Sequence, residues 1–270
     1  MPMELVTNLP YDHPYRWDGS AFGGPMLWRP SAIPRSQLAL WLDAEDSSSI
    51  TLNGSTVSQW NDKSGNGRNV AQATAANQPT YNTTTFNGKP ALVFDGSNDF
   101  ISRSGVVLND SDIILFLAIR YRNATTALQS VVSTDDTGSS PRIYLQADAG
   151  TLKGYGGNYI SAGTYTANTM EVTSISRLAS GDIIQVYRNG TLSGSGAGGI
   201  ATANNGLKFG LLGTGAFGAH ASVDIAESIA VNAVLSTGTR QRLEGYLAWK
   251  WGLQENLPST HPYKNLPPTV

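Results

Sequence analysis

Three sets of side chains in this 270-residue chain have the types and spacing to do chemistry. The first is acidic and sits in Ser222-Val223-Asp224-Ile225-Ala226-Glu227. A retaining glycosidase needs two carboxyl groups about 5–5.5 Å apart across the scissile bond. A strand reading Glu-x-Asp-x-x-Glu supplies them, but here the first position is Ser222, which cannot form a glycosyl-enzyme intermediate. The expectation is therefore no catalytic residue and no enzyme, with Asp224 and Glu227 bonding to backbone or solvent near their strand. The second set is the loop acids Asp62, Asp95, Asp99, Asp135 and Asp136. Calcium takes six to eight oxygen ligands, and Asp62-Lys63-Ser64-Gly65-Asn66-Gly67 lacks the bidentate Glu of a calcium loop. Asp and Asn before Ser or Gly build Asx turns instead, so no metal and no cofactor are expected. The third set is aromatic. Tyr155, Asn158, Tyr159 and Tyr165 surround a Gly156-Gly157 turn, and tyrosine faces beside amide groups suit sugar rings. These four are the candidate glycan-binding residues.

Other chemistries are excluded by residue type. There is no cysteine, hence no disulfide, thiolate zinc site or cysteine nucleophile. His13, His220 and His261 form no Ser-His-Asp or His-x-x-x-His spacing. Gly194 to Gly199 is glycine-rich but no lysine follows, which removes a phosphate loop. With 18 basic and 20 acidic residues the net charge is −2, so the basic footprint of a nucleic-acid partner is absent. The longest apolar run, Ile113 to Ile119, is far short of the roughly 20 residues of a membrane helix. No membrane insertion is expected, and the first residues carry no secretory signal pattern. Charged residues make up 14% of the chain, against about 25% in ordinary domains. Gly, Ser, Thr, Asn and Ala replace them, giving a polar, weakly ionic surface suited to display in bulk.

The elements that must position these residues are mostly strands. Leu38–Leu42, Val57–Trp60, Ala91–Phe94, Ile113–Tyr121, Gln129–Ser133, Arg142–Gln146, Met170–Ser176, Ile183–Tyr187, Leu207–Leu212 and Val223–Val231 are short apolar or β-branched runs between turn clusters. Asn189-Gly190 between two of them signals a type I′ hairpin. One helix is expected after Ser236 or Thr237, which can cap it. Leu243, Tyr246, Leu247 and Trp251 form its apolar stripe, Arg240 and Glu244 pair at i,i+4, and Gly252 ends it. The predicted fold class is all-β, a two-sheet antiparallel jelly-roll sandwich with one C-terminal helix.

Residues 1–36 differ, with six prolines and the aromatics Tyr11, Tyr15, Trp17, Phe22 and Trp28. Proline fixes φ and lacks a backbone donor, so this reads as an extended arm on a domain spanning 37–270. Tyr11, His13, Tyr15, Trp17, Phe22 and Trp28 are its expected anchoring residues. The chain also repeats itself. Asn8-Leu9-Pro10-Tyr11-Asp12-His13-Pro14-Tyr15-Arg16 matches Asn256-Leu257-Pro258-Ser259-Thr260-His261-Pro262-Tyr263-Lys264 at six positions, with a basic residue closing both. The repeat reads as a module-end tail present twice.

Leu40-Trp41-Leu42-Asp43-Ala44, Val57-Ser58-Gln59-Trp60-Asn61-Asp62-Lys63-Ser64-Gly65-Asn66-Gly67-Arg68 and Pro90-Ala91-Leu92-Val93-Phe94-Asp95-Gly96 resemble the laminin-G-like branch of the concanavalin A-like lectin/glucanase superfamily. Leu243 to Leu253 with Leu257-Pro258 and His261-Pro262-Tyr263 is similar to the ending of that branch in bacterial and bacteriophage proteins. The resemblance covers roughly residues 38–264 and implies a jelly roll, often glycan-binding and often a module of surface or virion proteins. The expectation is a non-enzymatic bacteriophage virion structural protein, whether capsid decoration, tail or fibre component. It would be made in the host cytoplasm and sit on the virion surface. Its partners would be other virion proteins, further copies of itself (a trimer fits) and host surface glycans. A stand-alone bacterial lectin is the alternative, and a glycoside hydrolase a third reading.

Overall fold

The computed structural model describes residues 26–105, 107–108, 112–123, 127–134, 143–199, 206–212 and 219–270. Among these residues the chain forms seventeen strands and one α-helix. In order the strands are β1 (Leu38–Asp43), β2 (Ile50–Asn53), β3 (Thr56–Trp60), β4 (Val70–Ala71), β5 (Thr80–Phe86), β6 (Lys89–Asp95), β7 (Ile101–Ser104), β8 (Ile113–Tyr121), β9 (Gln129–Ser133), β10 (Tyr144–Asp148), β11 (Thr151–Tyr155), β12 (Tyr159–Thr164), β13 (Thr169–Leu178), β14 (Ile183–Arg188), β15 (Thr191–Ala197), β16 (Gly206–Phe209) and β17 (Ser222–Val231). The helix α1 spans Thr237–Lys250.

Every strand pairing is antiparallel, and the pairings link into one ladder. One stretch runs β15-β14-β13-β8-β17. The far edge of β17 is shared, its Glu227–Val231 half by β1 and its Ser222–Ile225 half by β6. From β6 the ladder continues through β5, β3, β4, β7, β16, β9, β10 and β11 to β12. The last strand then lies against β15, the strand at the other end, so the sheet comes close to a barrel. Glycine permits that closure, because a Cβ on Gly194 would stand 2.4 Å from the Ser161 carbonyl oxygen.

Alternation along β8 shows how the layers form. Ile113, Leu115, Leu117, Ile119 and Tyr121 point into an inner core with Leu40, Leu92, Phe94, Leu145, Ile175 and Phe209. Ile114, Phe116 and Ala118 point outward into a second core with Trp28, Trp41, Phe86, Leu243, Leu247, Trp251 and Leu257. A strand buried on both faces reads as a continuous apolar run, which is why Ile113–Tyr121 is so plain in the sequence. Helix α1 covers the outer face. The Ser236 hydroxyl accepts from Thr239 N at 3.1 Å, and Gly252 takes φ +70° just past its end. Asn189 and Gly190 hold φ of +47° and +78°, as a type I′ turn requires.

Residues 26–36 pack onto the body: Leu27 bridges Thr269, Trp28 N donates to the Pro268 carbonyl, and Val270 N donates to the Met26 carbonyl. Trp28 is buried and meets Tyr246 edge-on at 6.1 Å. Its indole packs against helix α1 of its own chain. Tyr11, His13, Tyr15, Trp17 and Phe22 lie outside the described residues.

Candidate functional site

The strands β10, β11 and β12 place three tyrosines in one cross-strand row. Tyr144 is opposite Tyr155, and Tyr155 is opposite Tyr159. The first two rings stack at 4.5 Å with an interplanar angle of 19°. The second and third are 4.9 Å apart. The Tyr144 hydroxyl donates to the Tyr159 hydroxyl at 2.7 Å. Burial is graded along the row: Tyr144 is buried, Tyr155 is partly covered, and Tyr159 is 56% exposed. Such direct neighbours on a sheet support one another's orientation. Lys153, two residues before Tyr155 and so on the same face, stands 5.9 Å from the Tyr159 ring centroid and pairs with Asp148 at 2.7 Å. The outcome is a fixed aromatic step flanked by an ion pair.

Two of the four expected glycan residues sit elsewhere or are already engaged. Tyr165 is buried in the inner core against Tyr121, with rings 4.9 Å apart, and its hydroxyl has no partner among the described residues. It follows β12 across the sheet edge and turns inward, so it does not join the row. Asn158 donates its amide to the Ala197 and Gly198 carbonyls, tying the β11–β12 turn to the end of β15. Tyr144 belongs to the row and was missed. It lies in a run read as a strand, but which residue it faces is decided by register.

A second polar concentration lies on the opposite side of the fold, where α1 crosses β1 and β17. A cleft of about 210 Å³ is lined by Arg29, Trp41, Asp43, Glu45, Asp46, Lys63, Tyr246 and Lys250. Beneath it Lys250 Nζ lies 2.6 Å from Asp43 and 2.8 Å from Glu227, whose α-carbons are cross-strand partners. Glu227 also accepts from Trp41 Nε1 at 2.6 Å, Trp251 Nε1 at 2.7 Å and the Tyr246 hydroxyl at 2.9 Å. Lys63 bonds Asp43 and Asp46 at 2.8 Å each. Burial pushes the Asp43 carboxyl up, but Lys250 and Lys63 outweigh it and hold the group below its usual range. Burial likewise pushes Glu227 above its usual range, with Lys250 pulling back. Burial and then Glu227 push the Tyr246 phenol well above its ordinary value, which keeps it a donor. Burial would lower Lys250, and Asp43 and Glu227 reverse that and raise it.

This corrects the expectation for both acids of the Asp224–Glu227 motif, which bond to side chains and not to backbone or solvent. Asp224 is fully buried between Arg120 and Arg122, 3.0 Å from the latter, and accepts from Thr85 at 2.9 Å. Glu227 is fully buried with four donors on its two oxygens. Two residues three apart on a regular strand face opposite ways. Here a bulge at Ala226 adds one residue between the Ile225 and Glu227 pairings, so both acids point outward toward the helix side. Of the loop acids, Asp62 closes an Asx turn, accepting from the backbone N of Trp41, Ser64 and Arg68. Asp99 accepts from Asp95 N, and burial, followed by the Asp95 charge, pushes it up to about 6. Asp135 and Asp136 lie outside the described residues. His220 bonds the Asp99 carbonyl at 3.4 Å, and His261 is buried against Glu244.

No family model matches the chain, and no curated protein matches it. Solved structures do. Trypanosoma rangeli sialidase in complex with 2,3-difluoro-KDN superposes with a TM-score of 0.61 at 13% identity, over 86% of this chain and 35% of the sialidase. The binding domain of Paraclostridial Mosquitocidal Protein 1 gives 0.55 at 14% identity, over 78% of this chain and 52% of that one. The botulinum neurotoxin serotype D binding domain gives 0.55 at 15% identity, over 80% and 52%. The chain thus spans from about a third to about half the length of these proteins. At such identities the likeness is one of fold. It bears on one expectation directly. A non-enzymatic protein was expected, and that is overturned by the sialidase match, since the fold is shared with part of an enzyme. The serine at position 222 removes one glycosidase arrangement and not hydrolysis as a class.

Proposed function

We propose that this chain is a glycan-binding domain of the laminin-G-like jelly-roll type, with the Tyr144–Tyr155–Tyr159 row as its sugar platform. The observation that carries the reading is Tyr159, held half-exposed by a tilted ring contact with Tyr155 and a hydroxyl bond from Tyr144 at the end of an otherwise covered row. A hydrophobe fixed in this way presents a π-face without losing side-chain freedom on binding, and sugar C–H faces pack on such rings. Lys153 and Asp148 beside it supply a donor and an acceptor for ring hydroxyls. The fold's likeness to part of a sialidase solved with sialic acid supports a saccharide as ligand. The cleft over Lys250 is the weaker candidate, because Asp43, Asp46, Glu45 and Lys63 already pair with their neighbours. A glycan array probed with the wild-type chain and with Tyr159→Ala tests the reading. Binding of at least one glycan, lost in the variant, is expected; equal signals from both chains would refute it.

The setting in which such a domain is displayed is a virion surface. The composition supports this, since only 14% of the chain is charged and glycine and small uncharged polar residues are abundant. Immunogold labelling of phage particles tests it, with gold on particle surfaces as the expected result.

A further inference from the structure

The repeated tail motif has a groove of its own. In the copy at 256–264, Asn256 Nδ2 donates to the Met170 carbonyl at 3.1 Å, and Leu257 is buried in the outer core. His261 is buried, its Nε2 3.3 Å from Glu244 Oε2, while its Nδ1 accepts from Tyr263 N at 3.2 Å. Tyr263 lies directly on helix α1: a Cβ on Gly245 would stand 2.6 Å from the Tyr263 Cβ, and Trp249 Nε1 donates to the Tyr263 carbonyl at 2.7 Å. Gly190 opens the floor under His261, where a Cβ would come within 2.8 Å of the ring. Lys264 closes the seat by donating to the carbonyls of Gln254 and Glu255.

Set against this geometry, the repeat is selective. Asn256, Leu257, His261 and Tyr263, which bond to or bury against the body, are Asn8, Leu9, His13 and Tyr15 in the first copy. Pro258, whose carbonyl accepts from His261 N, and Pro262 are Pro10 and Pro14. The basic residue recurs as Arg16. The two positions that differ freely, Ser259 and Thr260, are exposed. Identity therefore covers the four residues that contact the body, extends to Pro258 and the exposed Pro262, and lapses at exposed Ser259 and Thr260.

We propose that residues 8–16 bind the α1 groove of a second copy of this chain, taking the place of its 256–264 tail. Each chain carries one such groove and two sequences that fit it. Replacement exchanges like contacts for like, and exchange of an identical element between copies is a low-cost route to association. The resident tail holds its seat through its covalent link, which gives it a high effective concentration. Weakening that tail must therefore promote association.

Sedimentation velocity on the full chain tests this. His261→Ala with Tyr263→Ala empties the groove, and self-association at least about tenfold tighter than wild type is expected. Adding His13→Ala and Tyr15→Ala must return the chain to wild-type behaviour. A monomeric double variant would overturn the proposal, as would association that survives the two N-terminal substitutions. Should the double variant fail to fold, a fluorescein-labelled peptide of residues 7–18 can be titrated by anisotropy against the single variant Tyr263→Ala, whose resident tail is weakened. Saturable binding is expected, at least about tenfold weaker for the Tyr15→Ala peptide. Equal binding by the two peptides, or none, overturns the proposal.

Discussion

The tyrosine row and the Lys250 network stand on opposite sides of the same ladder and use polar groups in opposite ways. Around Lys250 the charges turn on one another: Asp43, Glu227 and Lys63 have protein partners within 3 Å, and two indoles and a phenol complete Glu227. At Tyr159 the polar group is secured by one neighbour and more than half of the residue is left to solvent. A network that satisfies itself stabilises the helix–sheet contact; a group held in place yet uncovered is available to a ligand. Both regions are rich in aromatic and polar side chains, so composition does not separate them, whereas hydrogen-bond partners and exposure do.

The largest test of that contrast removes one member of the network. Glu227→Ala leaves three buried donors without this acceptor and Lys250 with Asp43 as its remaining close carboxylate, and a loss of about 3–5 kcal/mol is expected in denaturant unfolding. A loss under about 1 kcal/mol would place the network among solvent-screened pairs. On the tyrosine side, Tyr159→Ala is expected to cost under about 1 kcal/mol, because more than half of the side chain is already in water. The same variant should lose glycan binding about tenfold or more by calorimetry. A change in folding stability as large as that of Glu227→Ala would erase the distinction between the two regions.

Asp99 gives a pH-dependent test away from both. Its folded value of about 6 lies above the ordinary 3.8, so the fold prefers the neutral acid. Its contribution is fully present below the ordinary value and is lost as pH rises through about 6. Melting temperature should thus carry a component that rises as pH falls from 7 toward 4, and Asp99→Asn should remove that component while keeping the bond from Asp95 N. A slope unchanged in the variant assigns the pH dependence elsewhere. The smallest effect is at Tyr165, whose buried hydroxyl has no partner among the described residues. Tyr165→Phe should be neutral or stabilising by up to about 1 kcal/mol in thermal melts.

Much of this frame is legible in the sequence. The doubly buried β8 is an apolar run from Ile113 to Ile119, β13 and β17 carry enough β-branched residues between their polar ones to read as strands, and α1 announces itself through Ser236, the Leu243–Trp251 stripe and Gly252. The strands that escape are polar. β5 reads Thr-Tyr-Asn-Thr-Thr-Thr-Phe, β7 Ile-Ser-Arg-Ser and β12 Tyr-Ile-Ser-Ala-Gly-Thr. Such strands are held by their neighbours and by only one or two buried side chains each, which leaves a weak pattern. The site was half legible for a related reason. Tyr155 and Tyr159 flank a glycine turn and are near in sequence, but Tyr144 joins them only through the register of β10 on β11. The Ala226 bulge hid the outward aim of Glu227 in the same way, since it changes which face a residue takes without changing its type.

The pairing of Met26–Trp28 with Pro268–Val270 has a mechanical consequence. The first and last of the described residues lie side by side, joined by two backbone bonds of 3.0 Å. Tension applied between those two points peels that short pair open first, one bond at a time. The long ladder of β8, β13 and β17, with its many bonds loaded together, is spared. Load across these two segments would thus be taken up by the short pair before it reached the core strands, and the pair could re-form when the load was released.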